Sequence, residues 1–225
     1  GASLAGVRTA SALRREDFSG EITVIGDEPH LPYDRPPMSK QVLQGKWGIE
    51  KTGLLSTEQL TELGAEWILG DAAQQLDVSS RTIRTKSGRE VEGTYVVIAT
   101  GARARRLPFS ADNEIFTMRT LDDAQQLAAT CNSLPQRATV AVIGGGFIGA
   151  EVATALHARE LRPIVLEAQA RPLQGVVGEE VATWLEGLPG AAGVELRVNQ
   201  NVLDVVRTPS GFQVILRSEE HTSEL

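Results

Sequence analysis

Cysteine is nearly absent from this sequence: among 225 residues there is one, Cys131, alongside three histidines and only 4% aromatic residues. A single thiol excludes an intramolecular disulfide and a C-x-x-C redox pair, and with them a stapled secreted fold. His30, His157 and His221 show no ligand spacing, so no zinc or iron site is expected. No run reaches the ~18 apolar residues of a membrane helix and no signal-peptide pattern opens the chain, so no membrane partner is expected. Basic residues are also scarce, with 22 Lys and Arg against 29 Asp and Glu, a formal net charge of -7 and a pI near 5.1. Phosphate backbones demand clustered positive charge, so nucleic acid is excluded as the main partner. A reducing, cytoplasmic setting agrees with each of these shortages.

Glycine, by contrast, is plentiful at 22 residues, and the 41% hydrophobic content is enough for a real core. The glycines cluster at strand ends and turns, the distribution of an α/β chain. GASLAGVRTASALRR opens as a glycine loop running into a helix with Leu4, Val7, Ala10 and Leu13 on one face. The strand that ordinarily precedes such a loop is not in the sequence, so its neighbours in a sheet are expected to lack partners. EITVIGDE (21–28) reads as a strand, and a helix is expected from near Pro37. Ser56-x-x-Gln59 predicts a capped helix. EWIL, AQQLDV, TIRTK and REVEGTYVVIATG follow as strands, with a turn at Ser87-Gly88.

Thr120 and Asp123 cap the next expected helix, which leads into VAVIGGGFIGAE (140–151). Strand, loop, helix (147–160), strand RPIVLE, helix (about 179–188) and strand VELRV then repeat the opening pattern about 143 residues on. Two Rossmann-like dinucleotide-binding domains in one α/β chain are therefore expected. The last residues, RSEEHTSEL (217–225), are polar and resemble a translated sequencing-adapter oligonucleotide, so they are expected to be a non-native tail.

Each glycine loop makes its own prediction. Gly144-x-Gly146-x-x-Gly149 follows a strand and opens a helix, the context in which backbone N–H groups hold a pyrophosphate. Glu167 ends the following strand, where it would accept hydrogen bonds from an adenosine ribose and repel a 2′-phosphate, favouring NADH over NADPH. Arg162 and Arg171 stand near it in sequence. The first loop reads Gly1-x-Ser3-x-x-Gly6, with Asp27 as the corresponding acid and a serine where backbone approach favours glycine. The turn Ala99-Thr100-Gly101 ends another apolar run.

YDRPPMSK (33–40), VIATGARARRLP (96–108), MRTLDDA (118–124) and VIGGGFIGAE (142–151) together resemble the ferredoxin and rubredoxin reductases, FAD- and NAD(P)-dependent enzymes with the pyridine nucleotide-disulfide oxidoreductase fold. The resemblance covers nearly all of residues 1–216. It implies an FAD-binding domain at 1–113 lacking its first strand and C-terminal segment, and a truncated NAD-binding domain at 114–216. It places Ala5 and Gly6 at the FAD pyrophosphate, Asp27 at its ribose, Ala73 by the adenine, Lys40 at the flavin ring and Arg119 at the phosphates. Gly1, Arg35, Pro36, Thr100, Gly101 and Arg103 also fall in its cofactor-binding stretches. Gly144, Gly146, Ile148, Gly149, Glu151 and Glu167 would hold NAD.

The acid Glu151, just after the last glycine of a phosphate loop, has two explanations. A helix start tolerates a carboxylate through its dipole. The resemblance instead pairs Glu151 with Lys40 beside the flavin, in the gap between the two domains, where a buried pair would cost on the order of 3–5 kcal/mol to break. It makes these two the catalytic residues of a reductase passing electrons from NADH through FAD to a ferredoxin-type iron–sulfur protein. Alternatives are another acceptor such as rubredoxin or oxygen, a nucleotide-binding signalling protein like the apoptosis-inducing relatives, or an inactive fragment.

Overall fold

The computed structural model describes residues 1–109, 111 and 114–217. The expected domain boundary at 113/114 and all but Arg217 of the expected tail lie outside them. The chain divides into two compact units, one formed by Gly1–Asp34 with Ile49–Arg103, the other by Arg35–Gly48 with the residues from Ala104 onward.

The first unit opens with α1 (Leu4–Arg15), whose buried face is narrower than its periodicity predicts: Val7 and Ala10 are covered, while Leu4 and Leu13 stay exposed. The expected strand at 21–28 is realised over three residues, β1 (Thr23–Ile25). Helix α2 (Thr57–Leu63) has the expected capping box: the Gln59 N–H donates to Ser56 Oγ and the Ser56 N–H to Gln59 Oε1. Strand β2 (Glu66–Ile68) then lies parallel to β1, with Val24 opposite Trp67. An antiparallel sheet of β3 (Ala73–Asp77), β4 (Thr82–Thr85) and β5 (Glu90–Glu92) follows. Its turn at Ser87-Gly88 is held by Asp71, which accepts the Ser87 N–H and hydroxyl at 2.9 and 2.6 Å. The Ser87 hydroxyl, then Thr85, hold the Asp71 carboxyl below the usual range.

One expected strand, 89–101, forms only at its start. Over 89–101 only β5 forms, and among the described residues none pairs with 95–100. A strand is defined by its ladder, so an apolar, β-branched run without a partner remains irregular. Tyr95, Val97 and Ile98 are accordingly exposed.

In the second unit, the expected helix near Pro37 is a single π turn, Met38–Val42. Its N–H groups reach five residues back, from Val42 to Pro37 and from Leu43 to Met38. Helix α3 (Leu121–Ser133) starts at the expected Thr120/Asp123 capping box. A parallel sheet is built from β6 (Thr139–Ile143), β7 (Arg162–Leu166) and β8 (Glu195–Arg197), with α4 (Phe147–His157) crossing from β6 to β7. Three shorter helices, α5 (Gln174–Val177), α6 (Glu179–Glu186) and α7 (Leu188–Ala191), lead from β7 to β8. The hairpin of β9 (Val202–Thr208) and β10 (Gly211–Leu216) ends the described chain, and Val205 packs with Phe109 and Ala111.

One core cluster of this unit explains why residues 35–48 belong to it. Leu43 is fully buried with Cys131 of α3 and Val152, Ala155 and Leu156 of α4. The Arg159 guanidinium, just past α4, donates to the Leu43 carbonyl at 2.8 Å and also to Asn132. The π turn is thus seated on α3 and α4 by apolar burial and one charged clamp.

Candidate functional site

The two glycine loops share one close approach, that of the third glycine to the carbonyl of the first. In the second, the Gly144 N–H donates to the Leu166 carbonyl at 2.8 Å, and Gly146 caps α4. A Cβ at Gly149 would sit 2.0 Å from the Gly144 oxygen, so only glycine lets the helix lie this close to the loop. In the first, a Cβ at Gly6 would sit 1.9 Å from the Gly1 oxygen, and one at Gly1 would sit 1.8 Å from the Ala99 oxygen. Gly1, Gly6 and the Ala99-Thr100 turn therefore meet in the first unit. Neither α1 nor α4 has an acid in its first turn. Two helix N-termini, closely backed by backbone and with no acid in their own first turns, fit the pyrophosphate groups of two dinucleotides.

Glu167 stands against the second loop. Its Oε2 accepts the Gly145 N–H at 2.6 Å and its Oε1 accepts the Gln169 N–H at 2.8 Å. Both oxygens are oriented by backbone, and each keeps a lone pair for a ribose hydroxyl. The two arginines nearby in sequence are engaged elsewhere. Arg162 begins β7, at the opposite end from Glu167, and pairs with Glu195 at 3.1 Å. Arg171 pairs with Glu179 and Glu186 of α6 at 3.4 and 3.5 Å.

Glu151 is not at the helix start. It is the fifth residue of α4, beyond the turn over which a helix dipole acts, so the dipole does not explain it. Its partners do. Lys40 Nζ lies 2.7 Å from Glu151 Oε1 and also donates to the Pro36 carbonyl at 3.2 Å. Ser39 Oγ donates to the other carboxylate oxygen at 2.5 Å. The side chains of Lys40 and Glu151 are 41% and 32% exposed, so the expected buried pair is in fact partly solvated. Its contribution to stability is then about 0–1 kcal/mol, because water screens it.

Arg35 and Arg119 are brought together as well: the Arg35 guanidinium donates to the Arg119 carbonyl at 2.5 Å. The Arg119 N–H in turn donates to Asp123 at 2.9 Å. Ile148 sits one turn before Glu151 with its side chain exposed, as does Phe147.

In the first unit Asp27, Ala73 and Arg103 line one cavity of about 710 Å³, together with Ala72, Gln74 and Lys86. Arg103 approaches Asp27 at 3.8 Å, both largely exposed. Ala5 is exposed in the first turn of α1. Sequence reasoning missed Ser39, Gln74 and Lys86. Nothing in their local pattern separates them from ordinary surface residues.

A family model described as pyridine nucleotide-disulphide oxidoreductase matches residues 1–223. The chain belongs to this family. As a pyridine nucleotide-disulphide oxidoreductase it is 37% identical over 204 residues to the ferredoxin–NAD(+) reductase subunit of a benzene 1,2-dioxygenase system from Pseudomonas putida, covering 90% of this chain and 49% of that one. It is 38% identical over 205 residues to the ferredoxin reductase component of a chlorobenzene dioxygenase from Cupriavidus sp. (strain PS12), again covering 90% and 49%. The chain thus spans about half the length of the curated relatives it matches. Among solved structures, the covalent putidaredoxin reductase–putidaredoxin complex superposes with a TM-score of 0.87 at 28% identity, over 99% of this chain and 54% of that one.

Among the described residues, no group of three or more His, Cys, Asp or Glu side chains is placed to hold a metal ion. No described helix is long and apolar enough to cross a membrane. Cys131 is buried, and burial pushes its thiol pKa up, so it has no thiolate character.

Proposed function

We propose that this protein is a cytoplasmic NADH-dependent flavoprotein reductase that passes electrons through FAD to a ferredoxin-type iron–sulfur protein. The observation that carries the reading is the Lys40–Glu151 pair, which ties the π turn to the helix that follows the second glycine loop. The family membership and the dioxygenase-system relatives support it.

FAD would lie on the first loop, with Gly1, Ala5 and Gly6 at its pyrophosphate. Asp27, Ala73 and Arg103 would take its adenosine in the cavity they share. NAD would lie on the second loop, with Glu167 at its ribose. When bound, FAD supplies the two-electron to one-electron conversion that couples NADH to a single-electron acceptor. The chain's residues position and tune. The Lys40 ammonium, with two of its three N–H groups committed to Glu151 and Pro36, would supply a fixed positive charge to a flavin ring. The Glu151 carboxylate orients that ammonium and would border the nicotinamide of a bound NAD. Arg35 and Arg119 add positive charge for phosphate.

The test is NADH oxidation by the FAD-loaded protein with a ferredoxin as acceptor, compared with rubredoxin and with oxygen alone. The reading expects turnover that rises with ferredoxin concentration. Oxidation that ferredoxin leaves unchanged would overturn it.

A further inference from the structure

We infer that Ser39 is a positioning residue for nicotinamide recognition, acting through Glu151; the inference rests on the reading of Glu151 as the carboxylate that borders the nicotinamide. Ser39 is 5% exposed, and its hydroxyl takes Glu151 Oε2 at 2.5 Å while Lys40 takes Oε1 at 2.7 Å. Consecutive residues of one turn thus grip both oxygens of one carboxylate.

The backbone makes this grip possible. On an α-helix, neighbouring side chains diverge by about 100°, which would send one of the two away from the acid. The wider π turn at Met38–Val42 reduces that divergence. Its C-terminal end is anchored by the fully buried Leu43, whose carbonyl is held by Arg159 at 2.8 Å.

The two grips differ in stiffness. A carboxylate bound at one oxygen still rotates, because the terminal torsion of glutamate is broad. Lys40 cannot stop that rotation alone, since a long, partly exposed side chain follows its partner. Ser39 can, having one short torsion and no access to water. With both donors in place the carboxylate plane is fixed, and the remaining lone pairs point in set directions. A carboxylate so fixed is an acceptor for a planar N–H donor, the chemistry offered by the carboxamide of nicotinamide. Serine 39 thereby separates the recognition of NAD from that of any adenine nucleotide lacking the nicotinamide.

The experiment is calorimetric titration of the chain with NAD⁺ and, separately, with ADP-ribose, which has the same adenosine and pyrophosphate but no nicotinamide. Ser39→Ala is expected to weaken NAD⁺ about tenfold and to leave ADP-ribose unchanged. Loss of loop structure would weaken both, so a parallel loss overturns the inference. Ser39→Thr, which keeps the hydroxyl, is expected to retain the preference for NAD⁺. Ser39→Cys, a weak donor, is expected to lose most of it. If Ser39→Ala does not fold, the Thr and Cys variants carry the same comparison, and equal behaviour overturns the inference. Glu151→Ala tells the two levels apart. A preference for NAD⁺ that survives Glu151→Ala sinks the reading of Glu151. One that is lost in Glu151→Ala but kept in Ser39→Ala sinks only the role of Ser39.

Discussion

Lys40 Nζ lies 2.7 Å from Glu151 Oε1, joining a π turn to the second turn of α4. Both side chains keep contact with water, so the pair adds little to folding and its removal separates chemistry from stability. Lys40→Met and Glu151→Gln should move the unfolding midpoint only slightly. In the FAD-loaded protein each should slow flavin reduction by NADH at least about tenfold, equivalent to about 1.4 kcal/mol of barrier. Stopped-flow traces that match the parent protein would remove the pair from the mechanism.

The third glycine of each loop admits no side chain. Gly149→Ala would drive a methyl to within 2.0 Å of the Gly144 oxygen, forcing α4 off its loop. The expected cost is about 1–3 kcal/mol in urea unfolding, with a loss of NAD⁺ affinity. Gly146→Ala is the control, because a Cβ there meets nothing within 4 Å. Equal unfolding curves for the two variants would contradict the close approach.

Coenzyme choice should follow Glu167. Its carboxylate is pinned to Gly145 and Gln169, while Arg162 and Arg171 are already paired with acids. Glu167→Ala should bring the dissociation constants of NADH and NADPH closer by about tenfold, about 1.4 kcal/mol. A ratio that does not change would assign the choice to other residues.

Cys131 provides a pH prediction. Burial raises its thiol pKa in the folded chain, an upward shift that the nearby Arg159 charge only partly opposes. An ordinary thiol titrates at roughly 8.5, so above that pH the unfolded chain loses a proton that the folded chain still holds. The contribution of Cys131 to stability is therefore complete below that value and falls as pH rises through it. Cys131→Ala should flatten the loss of stability between about pH 8 and 10. Native Cys131 should also react with iodoacetamide far more slowly than the urea-unfolded chain.

What could be read from the sequence was what local sterics decide. The spacing of Gly144, Gly146 and Gly149 announces a helix pressed on a loop, and a Cβ at Gly149 shows why. Ser56 with Gln59 and Thr120 with Asp123 satisfy their own helix starts, so both boxes appear where the residues predict them. What could not be read depended on partners distant in the chain. The Tyr95–Thr100 run has strand composition but no ladder. Leu4 and Leu13 have helical periodicity but stay exposed among the described residues. Pro37 marks a helical start without revealing that the hydrogen bonds would span five residues. Ser39 looks like any polar residue beside a lysine until α4 carries Glu151 to it.

The unladdered run with Tyr95, Val97 and Ile98 in water has a practical consequence at the bench. Exposed β-branched and aromatic residues with no strand partner among the described residues are templates for pairing between molecules, so concentrated solutions of this 225-residue chain should self-associate on warming. Light scattering that climbs with dilution reversed, and that falls when Val97 is exchanged for lysine, would trace the turbidity to this short stretch.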